Sequence, residues 1–284
     1  MLLMSHPKSY PLTWTSSTLR YYDSTDSIDF TTPRTVSVLS HDGEGTTVYS
    51  ASINVCKEDA NAFVWTLMSD NWHSEESGAV DDLPSGIKCI LGHSTKEQYA
   101  LSTDNRLMVW SENSPEWQED LLDEDASLLP TEDVSLVCYP MALTHNTDYV
   151  LIAGSRNADE YPQETIARVW RKTVDNDDMA EKGRWAYIER PANALYQLPC
   201  MKDLSLISYD DCVLAFGAPY GNIYQSRDNG ITWKQNNTYQ MPKGFDSENT
   251  TSMKVVVDDN NFIWLYCSGS GQVWRGILNK LKGK

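Results

Sequence analysis

Apolar and polar residues alternate in short runs along most of this chain, the period-two pattern of half-buried β-strands. Near the start, residues 35–39 alternate, the turn-forming residues 42–45 follow, and residues 47–55 alternate again. This order predicts a hairpin of the kind that builds small β-sandwiches. Residues 1–57 are few for a complete sandwich, so we expect part of a domain whose earlier strands are absent. A short polar linker, residues 57–61, follows.

Beyond the linker the strand pattern repeats, and this repetition is the main organisational signal of the sequence. A typical unit has three strands, the third carrying an aromatic residue, and then a fourth strand with a Trp. The third-strand aromatic residues are spaced 60, 54 and 50 residues apart. Propeller blades repeat at about 40–50 residues, with room for insertions in loops. The four aromatic residues are Trp110, Trp170, Tyr224 and Trp274.

The predicted fold is therefore all-β: a partial N-terminal β-sandwich over residues 1–57, then a β-propeller over residues 58–284 with four recognisable four-stranded blades. The last repeat lacks its fourth strand, whereas residues 63–67, ahead of the first repeat, have the sequence of such a strand. We expect residues 63–67 to pair with residues 272–278, so that both ends of the propeller share one blade. Closure of this kind removes exposed sheet edges.

One turn of the third repeat, residues 226–233, reads S-x-D-x-G-x-T-W. It resembles the Asp-box, a hairpin turn of sialidase-like and related β-propellers. Asp228 can accept hydrogen bonds from turn amides, and Gly230 adopts a positive φ at low cost. The box is usually a structural fastener far from any active site, so it predicts a turn and no chemistry. Its residues are Ser226, Asp228, Gly230, Thr232 and Trp233.

Charge and composition argue against several classes of function. The chain has 284 residues and a net charge of −17, which disfavours nucleic acid and anionic membrane surfaces as partners. No run approaches the ~20 apolar residues of a membrane-spanning helix, and residues 1–7 lack the apolar stretch of a secretion signal. The chain is then either cytoplasmic or has its export signal missing from this sequence.

The cysteines show no C-x-x-C spacing, and most lie in apolar strand contexts. We interpret them as buried thiols, with metal binding or disulfides as the alternatives. They are Cys56, Cys89, Cys138, Cys200, Cys212 and Cys267.

Eight short segments, spread over nearly the whole chain, match a known family. They are residues 26–30, 48–55, 63–65, 154–157, 160–162, 168–170, 259–264 and 273–276. Together they resemble a family of exported Bacteroidales proteins known only as a domain of unknown function, with an N-terminal β-sandwich and a C-terminal propeller. The resemblance implies export to the cell envelope and supplies no activity, because none is established for the family.

The chain departs from this family in two places. The sandwich begins late, and the segment between Trp72 and Leu83 lacks a blade's length of sequence that relatives carry. A smaller ring, an incomplete ring and an odd gene model are the alternatives that these departures leave open.

A glycoside hydrolase is one possible function, because Asp-box propellers include sialidases and some endoglucanases. A sialidase needs an arginine cluster for the substrate carboxylate, a Tyr–Glu nucleophile pair and an acidic Asp. However, Arg168 and Arg171 are predicted on third strands, Arg227 lies inside the box, and the sialidase Arg-Ile-Pro signature is absent. We predict no cofactor and no metal, and we interpret the acidic residues 175–178 as a solvated hairpin tip.

The function that we predict is non-enzymatic binding of a glycan or protein at the bacterial cell envelope; a structural module of a surface assembly is a second alternative. In a propeller, the loops between strands two and three share one face with the loops between blades, opposite the Asp-box. A converging arginine trio with a Tyr–Glu pair at the channel mouth would favour the hydrolase, and exposed Tyr without paired acids would favour binding. Tyr and Arg are common anchors of recognition surfaces. The candidates on the first face are Arg106, Arg156, Asn157, Tyr161, Tyr196, Tyr220 and Tyr239.

Overall fold

The computed structural model describes residues 12–16, 18–21, 29–30, 32–39, 44–53, 63–73, 83–142, 144–177, 183–235 and 238–279. Within these residues the protein is all-β, as predicted, with twenty strands and two three-residue 3₁₀-helices. No helix in this part of the chain has the length and apolar character needed to span a membrane.

The chain divides into two compact units, residues 1–58 and residues 59–284. The predicted linker at residues 57–61 and the turn residues 42–43 lie outside the described residues.

The first unit contains β1 (Leu12–Ser16), β2 (Thr18–Tyr21), β3 (Arg34–Leu39) and β4 (Thr46–Ala51). These strands form one antiparallel sheet in the order β2-β1-β3-β4. Strands β3 and β4 form the predicted hairpin, with Arg34 opposite Ala51 and Leu39 opposite Thr46. The described residues of this unit form a single sheet, so the partial sandwich stays a prediction.

The second unit contains four antiparallel sheets of four strands each, which are the four predicted blades. Blade 1 is β6 (Ile87–His93), β7 (Glu97–Ser102), β8 (Leu107–Ser111) and β9 (Ser114–Glu119). Blade 2 is β10 (Glu132–Pro140), β11 (Thr147–Ser155), β12 (Arg168–Asp175) and β13 (Ala186–Tyr187). Blade 3 is β14 (Lys202–Tyr209), β15 (Cys212–Ala218), β16 (Tyr224–Ser226) and β17 (Lys234–Gln235). Blade 4 is β18 (Ser252–Val257), β19 (Ile263–Ser268), β20 (Val273–Leu278) and β5 (Phe63–Ser69).

Blade 4 is built from both ends of the propeller, which confirms the predicted pairing of residues 63–67 with residues 272–278. Strand β5 pairs antiparallel with β20, with Phe63 opposite Leu278 and Trp65 opposite Gly276. A Cβ atom added at Gly276 would lie 2.7 Å from the rings of Phe63 and Trp65. A residue without a side chain is therefore required where these two rings cross the last strand.

Three hydrophobic cores lie between consecutive blades, and strand alternation distributes side chains among them. On β11, Val150 and Ile152 enter the core between blades 1 and 2, whereas Leu151 enters the core between blades 2 and 3. The third core, between blades 3 and 4, includes Phe216 and Leu265. No core between blades 4 and 1 occurs among the described residues.

Among the tryptophans of the blades, Trp170, Trp233 and Trp274 are buried. Trp65 is half-exposed at the margin of the core between blades 3 and 4. Trp110 is also half-exposed, because strand alternation places it on the face of β8 opposite Leu107 and Val109, which enter the core between blades 1 and 2. The described cysteines all carry free thiols. Cys212 and Cys267 are buried, Cys89, Cys138 and Cys200 are half-buried, and Cys56 lies outside the described residues.

Residues 226–233 connect β16 to β17 and pack against blade 2. We call this segment the 226–233 turn. Asp228 accepts hydrogen bonds from the Thr232 amide and hydroxyl at 2.8 and 2.6 Å. Gly230 has a φ of +87°, and an added Cβ atom there would lie 2.7 Å from a methyl group of Leu151 on β11. Trp233 is 1% exposed and packs in the core between blades 2 and 3. The turn therefore has a structural role at this interface.

Candidate functional site

A cavity of about 310 Å³ lies where blades 1 and 2 meet, at the end of the sheets that carries the β7–β8 and β11–β12 loops. Successive turns of an antiparallel sheet alternate between its ends, so this end is opposite the 226–233 turn. We call it the blade 1–2 cavity. Four of the seven predicted ligand-binding residues line it: Arg106, Arg156, Asn157 and Tyr161.

Arg106 forms the blade 1 wall and is held between two carboxylates. Its guanidinium lies 2.6 Å from Asp104 and 3.1 Å from Glu119. The Ser102 hydroxyl organises this turn, since it donates to Asp104 at 2.6 Å and accepts from the Arg106 amide at 2.9 Å. The hydrogen bond from Ser102 lowers the pKa of Asp104, so this carboxyl is ionised at neutral pH. The wall therefore presents donors and acceptors side by side.

The blade 2 wall is the loop that follows β11, and Asn157 shapes it. The Asn157 side-chain oxygen accepts from the amides of Asp159 and Glu160 at 2.8 and 3.3 Å, an Asx-type turn. The Arg156 guanidinium lies 3.4 Å from the centroid of the Tyr161 ring, a close cation–π contact. Asn157 thus positions the loop with its side-chain oxygen. Arg156 and Tyr161 form a stacked cation–π pair at the cavity wall.

Behind this wall, three arginines converge on one carboxylate. Glu164 lies 2.7 Å from Arg156 Nε and 2.7 Å from Arg168 Nη2, and it also pairs with Arg190. Burial would raise the pKa of Glu164, but the hydrogen bonds from Arg156 and Arg190 and the charge of Arg168 together lower it. We call these four residues the arginine cluster. Arg156 belongs both to the cluster and to the cavity wall.

A second ionic network joins the two blades beneath the cavity. Lys172 is buried, and its Nζ atom lies 2.8 Å from Glu97 and 2.8 Å from Asp120. Tyr99 donates to Glu97 at 2.5 Å, and Trp185 donates to Asp120 at 2.7 Å. Burial, and then the charge of Glu97, raise the pKa of Tyr99. Every polar group here has a partner, so the network fixes blade 1 to blade 2.

The other three predicted residues lie elsewhere. Tyr239 is 2% exposed in the core between blades 3 and 4, so its assignment to a binding surface is wrong. Tyr196 is exposed, but its carbonyl accepts from the Trp233 amide, which places it beside the 226–233 turn. Tyr220 packs against the core between blades 3 and 4 and donates to Asp203 at 2.8 Å. The strand pattern predicted which loops carry these three tyrosines, but it did not predict the path of each loop or the direction of each side chain.

Sequence reasoning missed the arginine cluster and the buried lysine. Arg168 and Arg190 were not among the candidates, although they converge with Arg156, because residues on different loops and strands show no spacing in sequence. Lys172 could have been identified from the alternation of β12, because it lies on the same inward face as Trp170 and Val174. A charged residue on such a face needs a buried partner.

A second cavity lies at the opposite end of the blades. This cavity, of about 360 Å³, lies on the side of the 226–233 turn and is lined by Tyr139, Arg227 and Asn229, among others. Its Tyr139 hydroxyl and Asn229 side chain are bonded to each other at 3.0 Å, as part of the fastening between blades 2 and 3. No group of three His, Cys, Asp or Glu side chains in the described part of the chain is placed to hold a metal ion.

The blades and the shared fourth blade define the second unit as a β-propeller that carries a polar cavity on its loop face. The chain belongs to the DUF6242 β-propeller domain family, a family of unknown function whose model matches residues 70–284. No curated protein matches it. The crystal structure of an endo-arabinase from Bacteroides thetaiotaomicron VPI-5482 is similar at 12% identity over 69% of this chain and 74% of that one, with a TM-score of 0.32. A likeness of that strength carries no conclusion about function.

Proposed function

We propose that this protein is a non-enzymatic binding module that holds a glycan in the blade 1–2 cavity. The observation that carries the proposal is convergence: Arg106 from one blade and Arg156, Asn157 and Tyr161 from the next line one cavity. From the family resemblance alone, we further propose that the module acts at the bacterial cell envelope.

The chemistry of the cavity suits a polyol. Sugar hydroxyls both donate and accept hydrogen bonds, and the Arg106 wall offers a guanidinium flanked by the carboxylates of Asp104 and Glu119. Tyr161 adds an aromatic ring of the kind that packs against the apolar face of a sugar. The cavity volume, about 310 Å³, is at the small-ligand end of the usual range. A protein partner would need a far larger surface, about 800 Å² on each side.

The hydrolase alternative has less support. A Tyr–carboxylate pair is present as Tyr99 and Glu97, but both are buried beneath the cavity, where a substrate cannot reach them. The arginine trio around Glu164 is present as well, but arginines can bind a substrate carboxylate without breaking any bond, and the Tyr99–Glu97 pair is not beside it. A glycosidase also requires a general acid with a raised pKa. Asp104 at the cavity wall and Glu164 behind it have lowered pKa values instead.

A glycan array probed with the purified chain tests the proposal, followed by calorimetry on the best neutral or acidic ligands. Tyr161→Ala should weaken binding about ten-fold, a loss of about 1.4 kcal/mol, because Tyr161 is the one aromatic residue among the described residues that line the cavity. Tyr196→Ala is the matched control, since Tyr196 is exposed but lies outside the cavity. Equal losses in the two variants, or no glycan bound by the folded wild type, would refute the proposal.

The same samples separate binding from catalysis. Each bound oligosaccharide is incubated with the protein, and the release of reducing ends is followed over hours. We expect the protein to bind each oligosaccharide without releasing new reducing ends. Release that disappears in Glu119→Gln would favour the hydrolase, because Glu119 is a carboxylate of the cavity wall.

A further inference from the structure

The arginine cluster carries more positive charge than the described part of the chain neutralises. Arg156, Arg168 and Arg190 all pair with Glu164, which is only 7% exposed. Among the described residues, no other carboxylate lies within 4.0 Å of these guanidinium groups. Three positive charges therefore face one negative charge, in a protein whose net charge is −17.

The cluster also contains donors that the described residues leave unsatisfied. The Nε atoms of Arg168 and Arg190 are buried, and neither has a hydrogen-bond partner within that part of the chain. A buried donor on a charged group is costly to leave unpaired. The two Nε atoms are enclosed, so a ligand can meet only the exposed part of Arg190, but an anionic group there stabilises the surplus charge.

The cluster is reachable from the loop face. Arg156 lines the blade 1–2 cavity, and its Nη1 atom donates to the Ser127 carbonyl at 3.1 Å, which fixes it in the wall. Arg190 follows β13, and its side chain is 30% exposed. Arg168 donates to the Tyr187 hydroxyl at 2.9 Å and is nearly buried, so it supports the other two. Positive charge thus extends from the cavity wall to the surface.

We propose that the arginine cluster binds a carboxylate group of the ligand, so that the glycan held in the cavity is an acidic one, such as a uronic-acid oligosaccharide. This inference rests on the proposed glycan-binding function. The ligand carboxylate pairs with the exposed edge of Arg190, while Glu164 holds the three guanidinium groups in register and competes with the ligand for them. General attraction does not account for such a preference, because a chain of net charge −17 repels acidic ligands.

The test compares each acidic oligosaccharide with its own methyl ester, which keeps the sugar rings and removes the charge. Trigalacturonate, a hyaluronan hexasaccharide and sialyllactose serve as the probes, and calorimetry gives the affinities. The best acidic probe should bind about ten-fold more tightly than its ester. Arg190→Gln should abolish that difference, and Glu164→Gln should increase it by about three-fold or more. Arg275→Gln, which lies outside the site, should change the affinity for neither form by more than about two-fold.

Matched controls are Arg275→Gln and Glu248→Gln, which make the same charge changes in blade 4 and in the loop before it. Circular dichroism checks folding, and if Glu164→Gln does not fold, Arg190→Gln and Arg190→Lys carry the test alone. Equal binding of acid and ester, or equal effects of Arg190→Gln and Arg275→Gln, would overturn the inference while glycan binding stands. Tighter binding of a tri-glutamate peptide would overturn it in favour of a peptide ligand. If none of the three probes or their esters binds, the inference fails, and the proposed function fails with it only if the glycan array also shows no ligand.

Discussion

Replacing Asp228 by Ala tests how the 226–233 turn fastens blade 3 to blade 2. Its carboxylate accepts from the Thr232 amide, the Thr232 hydroxyl and the Ser226 hydroxyl at 2.6–2.9 Å. In the variant the Thr232 hydroxyl can turn toward water, but the buried Ser226 hydroxyl and the half-buried Thr232 amide lose their acceptor. An unsatisfied donor costs about 1–3 kcal/mol, and partial exposure reduces this, so we expect a loss of about 1–2 kcal/mol.

The dependence on pH distinguishes this cause from a general packing defect. Burial alone would raise the pKa of Asp228, but the hydrogen bonds from Thr232 and Ser226 lower it. A carboxyl whose pKa is lower in the folded state stabilises above its unfolded pKa, about 3.9, and loses that contribution as pH falls through the folded value. The difference between wild type and variant should therefore be full at pH 7 and smaller near pH 3.

Urea unfolding followed by Trp fluorescence at pH 7, 5 and 3 measures this difference. At pH 7 the expected loss corresponds to a lower melting temperature by about 2–8 °C for a unit of this size. Asp159→Ala is the control, because Asp159 is exposed in the β11–β12 loop. A difference that stays constant from pH 7 to pH 3, or an Asp159 variant as unstable as the Asp228 variant, would refute the reasoning.

Three further predictions concern the cores and edges. Lys172→Met should destabilise the fold by about 3–5 kcal/mol, because Glu97 and Asp120 lose their buried counter-charge; an unchanged urea midpoint would contradict this. Ending the chain before β20 should yield aggregates in light scattering, since β5 and β19 lose their shared partner; a soluble, cooperative product would argue otherwise. Burial raises the pKa of Cys138 to about 12 and of Cys267 to about 11, so iodoacetamide should label these two thiols at pH 7 only after unfolding.

The blade architecture was predictable because short-range sequence patterns determine it. Apolar alternation located the strands, and the recurring third-strand aromatic residue set the repeat. The pairing of β5 with β20 followed from one missing strand and one surplus strand, since an unpaired edge is costly. The strand positions and the shared blade therefore follow from local sequence patterns and from the rule that sheet edges are paired.

The site was predictable only in part, because it depends on where side chains from separate loops meet. Arg106 and Tyr161 reach one cavity, as expected of loops on one face. Tyr239 follows the same rule of loop position, but its ring turns into the core beside Phe63. The convergence of Arg190 on Glu164 spans 26 residues and two strands, so no local pattern records it. Tertiary packing determines the path of each loop and the direction of each side chain, and this packing cannot be read from a single sequence.

The shared blade also has a consequence for synthesis on the ribosome. Strand β5 emerges early, yet its partner β20 follows roughly 200 residues later. At about 5–20 residues per second, β5 waits about 10–40 s for that partner. During this interval Phe63 and Trp65 have no opposite strand, and an unpaired apolar strand is a template for misassembly. Blades 1 to 3 can form in order of synthesis, whereas blade 4 forms only after β20 has been made, and β5 remains open to wrong pairing until then.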